Sequence, residues 1–311
     1  MKVTLDLSRL REQGAITPEE YEKLLRLGRH DTGSLGINIL VGFGVVAVSL
    51  GLVALLPNPY TAIVLGAAVA AVGLGLALKG VEQWSLLAQI CLVVGALMVC
   101  GSIVILGEGN LPAIALVTVL LTAVSIVARS SLLMAGAVLA LAACLGAQSG
   151  YSHATYSLAI YQPALTILVF SAIAYGAYEL SKRLSSDYER LAITASRTSV
   201  FLVNFGFWIG SLWGDRLNWL VSGTSVAVPR AVFAVGWVAA LIAVGVWGVR
   251  VNRRWVVNVA AVFGAIHFYT QWFEILGASP VSILLGGCLM LAFALAFWRF
   301  NRGAPPLASA A

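Results

Sequence analysis

Long apolar runs separated by short polar breaks fill almost the whole chain. They lie near residues 36–56, 60–78, 85–106, 111–128, 131–147, 162–180, 198–214, 231–249, 255–273 and 281–298. A helix needs about 20 apolar residues to cross a bilayer, and most of these runs reach that length. The pattern predicts an all-α fold, a polytopic transmembrane helix bundle of about ten spans covering residues 33–303. Residues 304–311 read as a disordered cytoplasmic tail.

Residues 1–32 break the pattern. Gly14 interrupts a first short helix, and Thr17-Pro18-Glu19-Glu20 opens a second. Thr17 supplies an N-cap, Pro18 the first helical position, and Glu20 the acidic residue three places after the cap, which together form a capping box. Tyr21, Leu24, Leu25 and Gly28 follow at i, i+3, i+4 and i+7 and present one apolar face. Val3, Leu5, Leu7, Leu10 and Ile16 are available to cover it. The prediction is a cytoplasmic helical hairpin, too small to hold its own core. It must dock on the bundle, on a second copy or on a cytoplasmic protein partner, and Tyr21, Leu24 and Leu25 are the docking residues.

Composition strengthens the membrane reading. Of the 311 residues, 60% are hydrophobic and 10% charged, against roughly 25% charged in a soluble domain. With the N-terminus inside, seventeen of the nineteen Lys and Arg fall in inner segments, and the outer segments hold only Arg216 and Arg230. That asymmetry follows the positive-inside rule and places both termini in the cytoplasm. The basic residues sit at the ends of apolar runs, not along a continuous face, so the net charge of +6 points to membrane lipids and not to nucleic acid. No signal peptide is expected, because a charged stretch precedes the first long apolar run. Cys91, Cys100, Cys144 and Cys288 lie inside apolar runs without CxxC spacing and read as packing residues.

Candidate chemistry is sparse. No Asp, Glu, Lys or Arg stands in the middle of a span, while Glu108, Glu179, Arg230 and Glu274 stand at span ends. This disfavours a carboxylate proton relay and leaves room for a neutral or lipid-like solute. The densest polar group is on the ninth span, where His267, Gln271 and Glu274 share one helical face, flanked by Tyr269 and Trp272. Asn204 on the seventh span, Asn258 on the ninth and Gln89 on the third are further amides within spans. The candidate polar pocket is therefore His267, Gln271, Glu274, Tyr269, Asn204 and Asn258. The alternative is a packed histidine with interfacial caps, and amides making interhelical hydrogen bonds of roughly 0.6–2 kcal/mol. His30 is predicted on the opposite side and His153 in an outer loop, too few ligands for a metal site. No metal, cofactor or catalytic residue is expected. Gly206 and Gly210 form a GxxxG spacing, and small residues run from Gly66 to Gly75; both favour close helix approach. Only Trp84 precedes residue 200, and the other eight tryptophans follow it. The outer loops, residues 148–161 and 215–230, carry aromatic residues suited to interfacial anchoring or to a gate.

The string Leu10-x-x-x-Gly14-x-Ile16-Thr17-x-Glu19-Glu20-Tyr21 resembles a short helical hairpin found at the ends of many bacterial membrane proteins. The order of parts also resembles the family of bacterial membrane proteins catalogued as domain of unknown function 2157. A hairpin precedes a Gly-rich first span (Gly42-Phe43-Gly44, Gly51), followed by Gly95, Gly101 and Ile105-Leu106-Gly107-Glu108-Gly109-Asn110-Leu111. A short span ends at Arg129-Ser130-Ser131, and Phe268-Tyr269, Trp272-Phe273 and Leu285-Gly286-Gly287 precede a basic tail. Pro57-Asn58-Pro59-Tyr60 stands where that family often has Asn-Trp, and Glu108 where it often has Gln. The resemblance implies an architecture and no reaction.

Two functions follow as expectations. One is a non-catalytic scaffold, sensor or accessory subunit acting through the hairpin. The other is a carrier of a neutral or lipid-like solute with five spans plus five, an odd repeat that enters the membrane from opposite sides. A membrane-embedded enzyme is the least favoured.

Overall fold

The computed structural model describes residues 14, 16–79, 84–152, 155–217, 227–251 and 253–302. Among them are ten helices: α1 (Pro18–Leu55), α2 (Pro59–Lys79), α3 (Ser85–Leu106), α4 (Leu111–Val127), α5 (Ser131–Cys144), α6 (Pro163–Ser181), α7 (Ser186–Trp213), α8 (Arg230–Arg250), α9 (Arg254–Leu276) and α10 (Pro280–Arg302). Two short antiparallel hairpins interrupt them. The first pairs β1 (Ala147–Ser152) with β2 (Thr155–Ile160), and the second pairs β3 (Asp215–Arg216) with β4 (Ala227–Val228).

Local chemistry explains where the helices start. Four of them open on proline (Pro18, Pro59, Pro163 and Pro280), whose fixed φ suits the first turn and whose missing N–H would lack a partner there anyway. At α1 the capping box is complete: Glu20 N donates to Thr17 Oγ1 (3.2 Å), and Thr17 N donates to Glu20 Oε2 (2.9 Å). At α4, Ala113 N donates to Asn110 Oδ1 (2.9 Å). The turn before it holds Glu108 and Gly109 at φ of 50° and 68°, so the chain reverses through two consecutive left-handed residues.

Among the described residues, five helices are long and apolar enough to cross a membrane: α2, α3, α6, α8 and α9. Shorter apolar stretches occupy Ile39–Leu55, α4, α5 and Pro280–Leu295. The 14 residues of α5 rise only about 21 Å, short of the roughly 30 Å hydrocarbon core, and the expected fifth run ends early because β1 begins at Ala147. The outer faces of these helices are covered with large aliphatic side chains. Val64 is 71% exposed, Val119 65% and Leu168 61%. A water-soluble protein rarely leaves so much contiguous apolar surface uncovered.

Three expectations meet a different local structure. The hairpin was expected to end near residue 32, yet α1 runs unbroken from Pro18 to Leu55. Its partner helix and the side chains of Leu24 and Leu25 lie outside the described residues. The seventh run was expected to start near residue 198, but α7 begins at Ser186 and carries Asp187, Glu189, Arg190 and Arg197 in its first half. Residues 148–161, expected as an outer loop, lie largely in an antiparallel ladder, with Ala147 opposite Ile160 and Tyr151 opposite Tyr156.

The chain divides into two compact units. The first comprises Met1–Cys144 and Tyr175–Thr198, the second Leu145–Ala174 and Ser199–Ala311. In the first unit α2 and α3 share the largest interface, which is built on glycine. A Cβ on Gly73 would lie 2.7 Å from Leu92 N and 2.8 Å from Ala88 O, and one on Gly66 would lie 2.9 Å from Gly95 O. Backbone meets backbone there, as small residues allow inside a bilayer. Leu92, Ala96, Cys100, Val117, Leu121, Leu133 and Ala137 form the core across α3, α4 and α5. Ser130 Oγ donates to Gln89 Oε1 (2.7 Å), so that amide is used in packing. At the polar end of this unit Arg129 pairs with Asp187 and lies over the Tyr188 ring, 5.6 Å from its centroid. Lys182, which follows α6, donates to Glu179 Oε1 (2.6 Å), and that carboxylate raises the lysine pKa.

Candidate functional site

The second unit holds the polar residues that the sequence picks out. Its α9 has two distinct faces. Phe263, His267, Thr270, Gln271 and Glu274 recur at helical spacing on one, while Phe268, Tyr269, Trp272 and Phe273 occupy the other. The first face meets α7 and α8; the second makes an aromatic ladder that joins α10.

Close approach of α7 to its neighbours makes the first face possible. A Cβ on Gly206 would come within 2.9 Å of Ile167 on α6, and one on Gly210 within 2.5 Å of Phe233 on α8. The GxxxG spacing therefore serves two different neighbours at once. Gly206 and Gly210 let α7 settle between them, and Asn204 and Trp208 are carried inward.

Asn204 is 7% exposed and Trp237 is fully buried. Trp237 Nε1 donates to Asn204 Oδ1 (2.9 Å), and Asn204 Nδ2 donates to Val200 O (2.8 Å). One turn on, Trp208 Nε1 donates to Thr270 Oγ1 (3.0 Å). Both indoles thus have their polar edge satisfied, as buried tryptophans require. Phe201, Phe205 and Phe263 pack around them, with ring centroids 5.0 Å (Phe201–Phe263) and 6.1 Å (Phe205–Phe263) apart in edge-on geometry.

His267 lies against this frame, its ring edge-on to Trp237 at 4.9 Å between centroids and 83° between planes. Its Nδ1 is buried with no hydrogen-bond partner, and the same holds for Gln271 Nε2. Residues four apart on a helix are neighbours, about 6 Å between Cβ atoms. Two unsatisfied polar atoms are therefore carried by adjacent turns of α9; Thr166 Oγ1 and Ser199 Oγ in the same unit are likewise buried without a partner. A buried polar atom without a partner costs roughly 1–3 kcal/mol, and far more apolar side chains are available at no such cost. What sets His267 and Gln271 apart is that both lie on one helix face, with His267 against the Trp237–Asn204 bond, which makes them the candidate binding position.

The other predicted residues are placed as follows. Glu274 continues the His267 face to its exposed end, 4.0 Å from Arg230 Nη1 with both side chains at least half exposed. Tyr269 is on the opposite face, stacked on Phe273 at 5.8 Å and 11°. Asn258 is exposed and lies nine residues before His267, about 13.5 Å along the helix axis; it does not belong to the cluster, contrary to expectation. Tyr21 is half-buried on α1, far back in the other unit's sequence. His153 and the side chain of His30 lie outside the described residues. Among the described residues no three His, Cys, Asp or Glu side chains converge to hold a metal ion.

Trp237, Trp208 and Thr270 were not foreseen. The signal available was the indole N–H itself. A tryptophan inside an apolar run needs an acceptor, and Asn204 and Thr270 are among the few in this half of the chain. Without knowing which helices adjoin, the pairing cannot be read from spacing.

The cluster contains no carboxylate, cysteine or lysine. It offers one imidazole nitrogen and one amide N–H, held by aromatic walls. Such a set can hydrogen-bond a neutral polar group and gives an ionic one no counter-charge. Comparison of the chain with protein-family models, with curated proteins and with solved structures finds no match to any of them.

Proposed function

We propose that the protein is an integral membrane protein of ten helical spans, with both termini cytoplasmic, that binds and carries a neutral hydrogen-bonding solute through its second unit. The observation that carries this reading is the adjacent pair of buried, unpartnered atoms, His267 Nδ1 and Gln271 Nε2. A solute hydroxyl or carbonyl placed between them would satisfy both. The cluster's one titratable group is the His267 imidazole, and the absence of a carboxylate, lysine or arginine beside it favours a neutral solute, since a bare charge there would meet no counter-charge. The ten helices among the described residues and the seventeen-to-two split of basic residues support the span count and orientation. Ten helices among the described residues are also the number that a five-plus-five carrier would need.

The test is isosmotic swelling of proteoliposomes followed by stopped-flow light scattering, with glycerol, urea, ribitol and sorbitol as probes. Wild type should admit at least one of these faster than empty liposomes, and Gln271→Leu should abolish the difference. A wild type indistinguishable from empty liposomes across the series would refute carriage.

A second reading has its own support. The helix α1 begins at a capped, acidic first turn and continues for 38 residues into its apolar half. A partner that binds near Tyr21 would thus be coupled rigidly to the span, the arrangement a scaffold or sensor needs. Deleting residues 1–30 should then remove partner capture and leave the bundle folded; identical pull-downs with and without them would exclude it.

A further inference from the structure

The second unit also contains a cavity of about 710 Å³ that the solute reading does not use. It opens where the two short hairpins meet the ends of α6, α7 and α8. The apolar part of its wall is formed by Ile160, Pro163, Ile209 and Val228 with the rings of Tyr161 and Trp213. Its charged lining consists of Asp215, Arg216 and Arg230. The volume falls within the range of small-molecule sites, about 300–1,000 Å³.

The three charges are not equivalent. Asp215 is buried, and its Oδ2 accepts a hydrogen bond from Ala164 N (2.8 Å) in the first turn of α6. A carboxylate at a helix N-terminus is stabilised by the free N–H groups and the helix dipole, so α6 holds Asp215 through Oδ2, while its Oδ1 is buried without a hydrogen-bond partner. Arg230 is only loosely engaged, 4.0 Å from Glu274 with both groups largely in solvent, where such a pair is weak. Arg216 is exposed and forms no ion pair among the described residues. The cavity therefore presents two available guanidiniums beside an apolar wall. Guanidinium forks match acidic oxygens in pairs. These are also the two basic residues that break the inner placement of all the others.

We propose that this cavity binds an amphiphile with an acidic head, its carboxylate or phosphate on Arg216 and Arg230 and its apolar tail against Ile160, Ile209 and Trp213. The head chemistry is common to a free fatty acid and to an anionic phospholipid. Binding here does not depend on carriage through His267 and Gln271.

The test uses the full chain in nanodiscs of zwitterionic phosphatidylcholine, with radiolabelled decanoate as probe. Binding should saturate near one site per chain. Decanol and decyltrimethylammonium should fail to compete. The R216Q/R230Q double variant should weaken binding at least tenfold, and R216K/R230K should recover part of it. Ala227→Trp, which adds bulk at an exposed lining position, should block the cavity with both arginines intact. Far-UV circular dichroism and thermal melting check that each variant is folded. Nanodiscs containing phosphatidylglycerol identify the source: loss of the decanoate site means that the lipid headgroup fills it, and an unchanged site means that the free amphiphile does. Non-saturating uptake equal in wild type and double variant, or equal competition by decyltrimethylammonium, would overturn the proposal.

Discussion

Gly73 and Gly75 stand two residues apart on α2 but in opposite circumstances. A Cβ on Gly73 would fall 2.7–2.9 Å from Leu92 N, Ala88 O and Cys91 Cβ, whereas one on Gly75 would meet nothing within 4 Å. Ordinary carbon contacts lie near 3.5–4.0 Å, so Gly73→Ala demands a separation of nearly 1 Å between α2 and α3. The obstacles are backbone atoms and a Cβ, which cannot turn aside as a flexible side-chain tip would. Overpacking of this kind costs about 1–3 kcal/mol. Both substitutions share the helix-propensity gain of Ala over Gly, up to about 1 kcal/mol. Subtracting one from the other removes that common gain. Gly73→Ala should be less stable than Gly75→Ala by about 1–3 kcal/mol, with Gly75→Ala at or above wild type. Unfolding of the two variants by SDS in mixed micelles, followed by far-UV circular dichroism, measures the difference. Equal stabilities would mean that α2 and α3 do not meet at Gly73, and the close packing of the first unit would be wrong.

Three further outcomes are expected. Asn204→Leu should destabilise by about 1–3 kcal/mol, because Trp237 Nε1 would be left buried and unpaired. A double-mutant cycle with Trp237→Phe in the same unfolding assay should show strong coupling, and additivity would contradict the bond. Gln271→Leu should leave stability unchanged or raise it by up to about 1–3 kcal/mol, since it removes a donor that has no partner; a large loss of stability would mean that the amide is structural. Thr17→Ala should cost about 1 kcal/mol locally and speed amide exchange in the first turns of α1 without affecting α2, as hydrogen-exchange mass spectrometry would report.

The helices were legible where punctuation was chemical. Thr17 and Pro18 marked the start of α1, and the apolar runs expected from 60, 111, 162 and 281 began within a residue of α2, α4, α6 and α10, which open at Pro59, after Asn110, at Pro163 and at Pro280. Where the polar stretch lacked a true breaker, hydropathy misled. The residues His30-Asp31-Thr32-Gly33-Ser34 look like a linker, yet a glycine costs a helix only about 1 kcal/mol, and α1 passes through them. The same holds for the charged turns before residue 198 in α7. The first ladder went unseen because its strands are separated by His153-Ala154, which has none of the Asn-Gly or Gly-X signature of tight hairpins. At the site, helical period placed His267, Gln271 and Glu274 on one face, and the structure keeps them there. What period cannot give is the neighbour across the gap. Trp237 joined Asn204 to His267, while Asn258 and Tyr269, equally polar in sequence, turned to other surroundings.

The most direct measurement of the central claim is solute-driven swelling of proteoliposomes bearing wild type or Gln271→Leu. A rate above empty liposomes for at least one neutral probe, lost in the folded variant, is the predicted result. The same rate in wild type, variant and empty liposomes for every probe would contradict it.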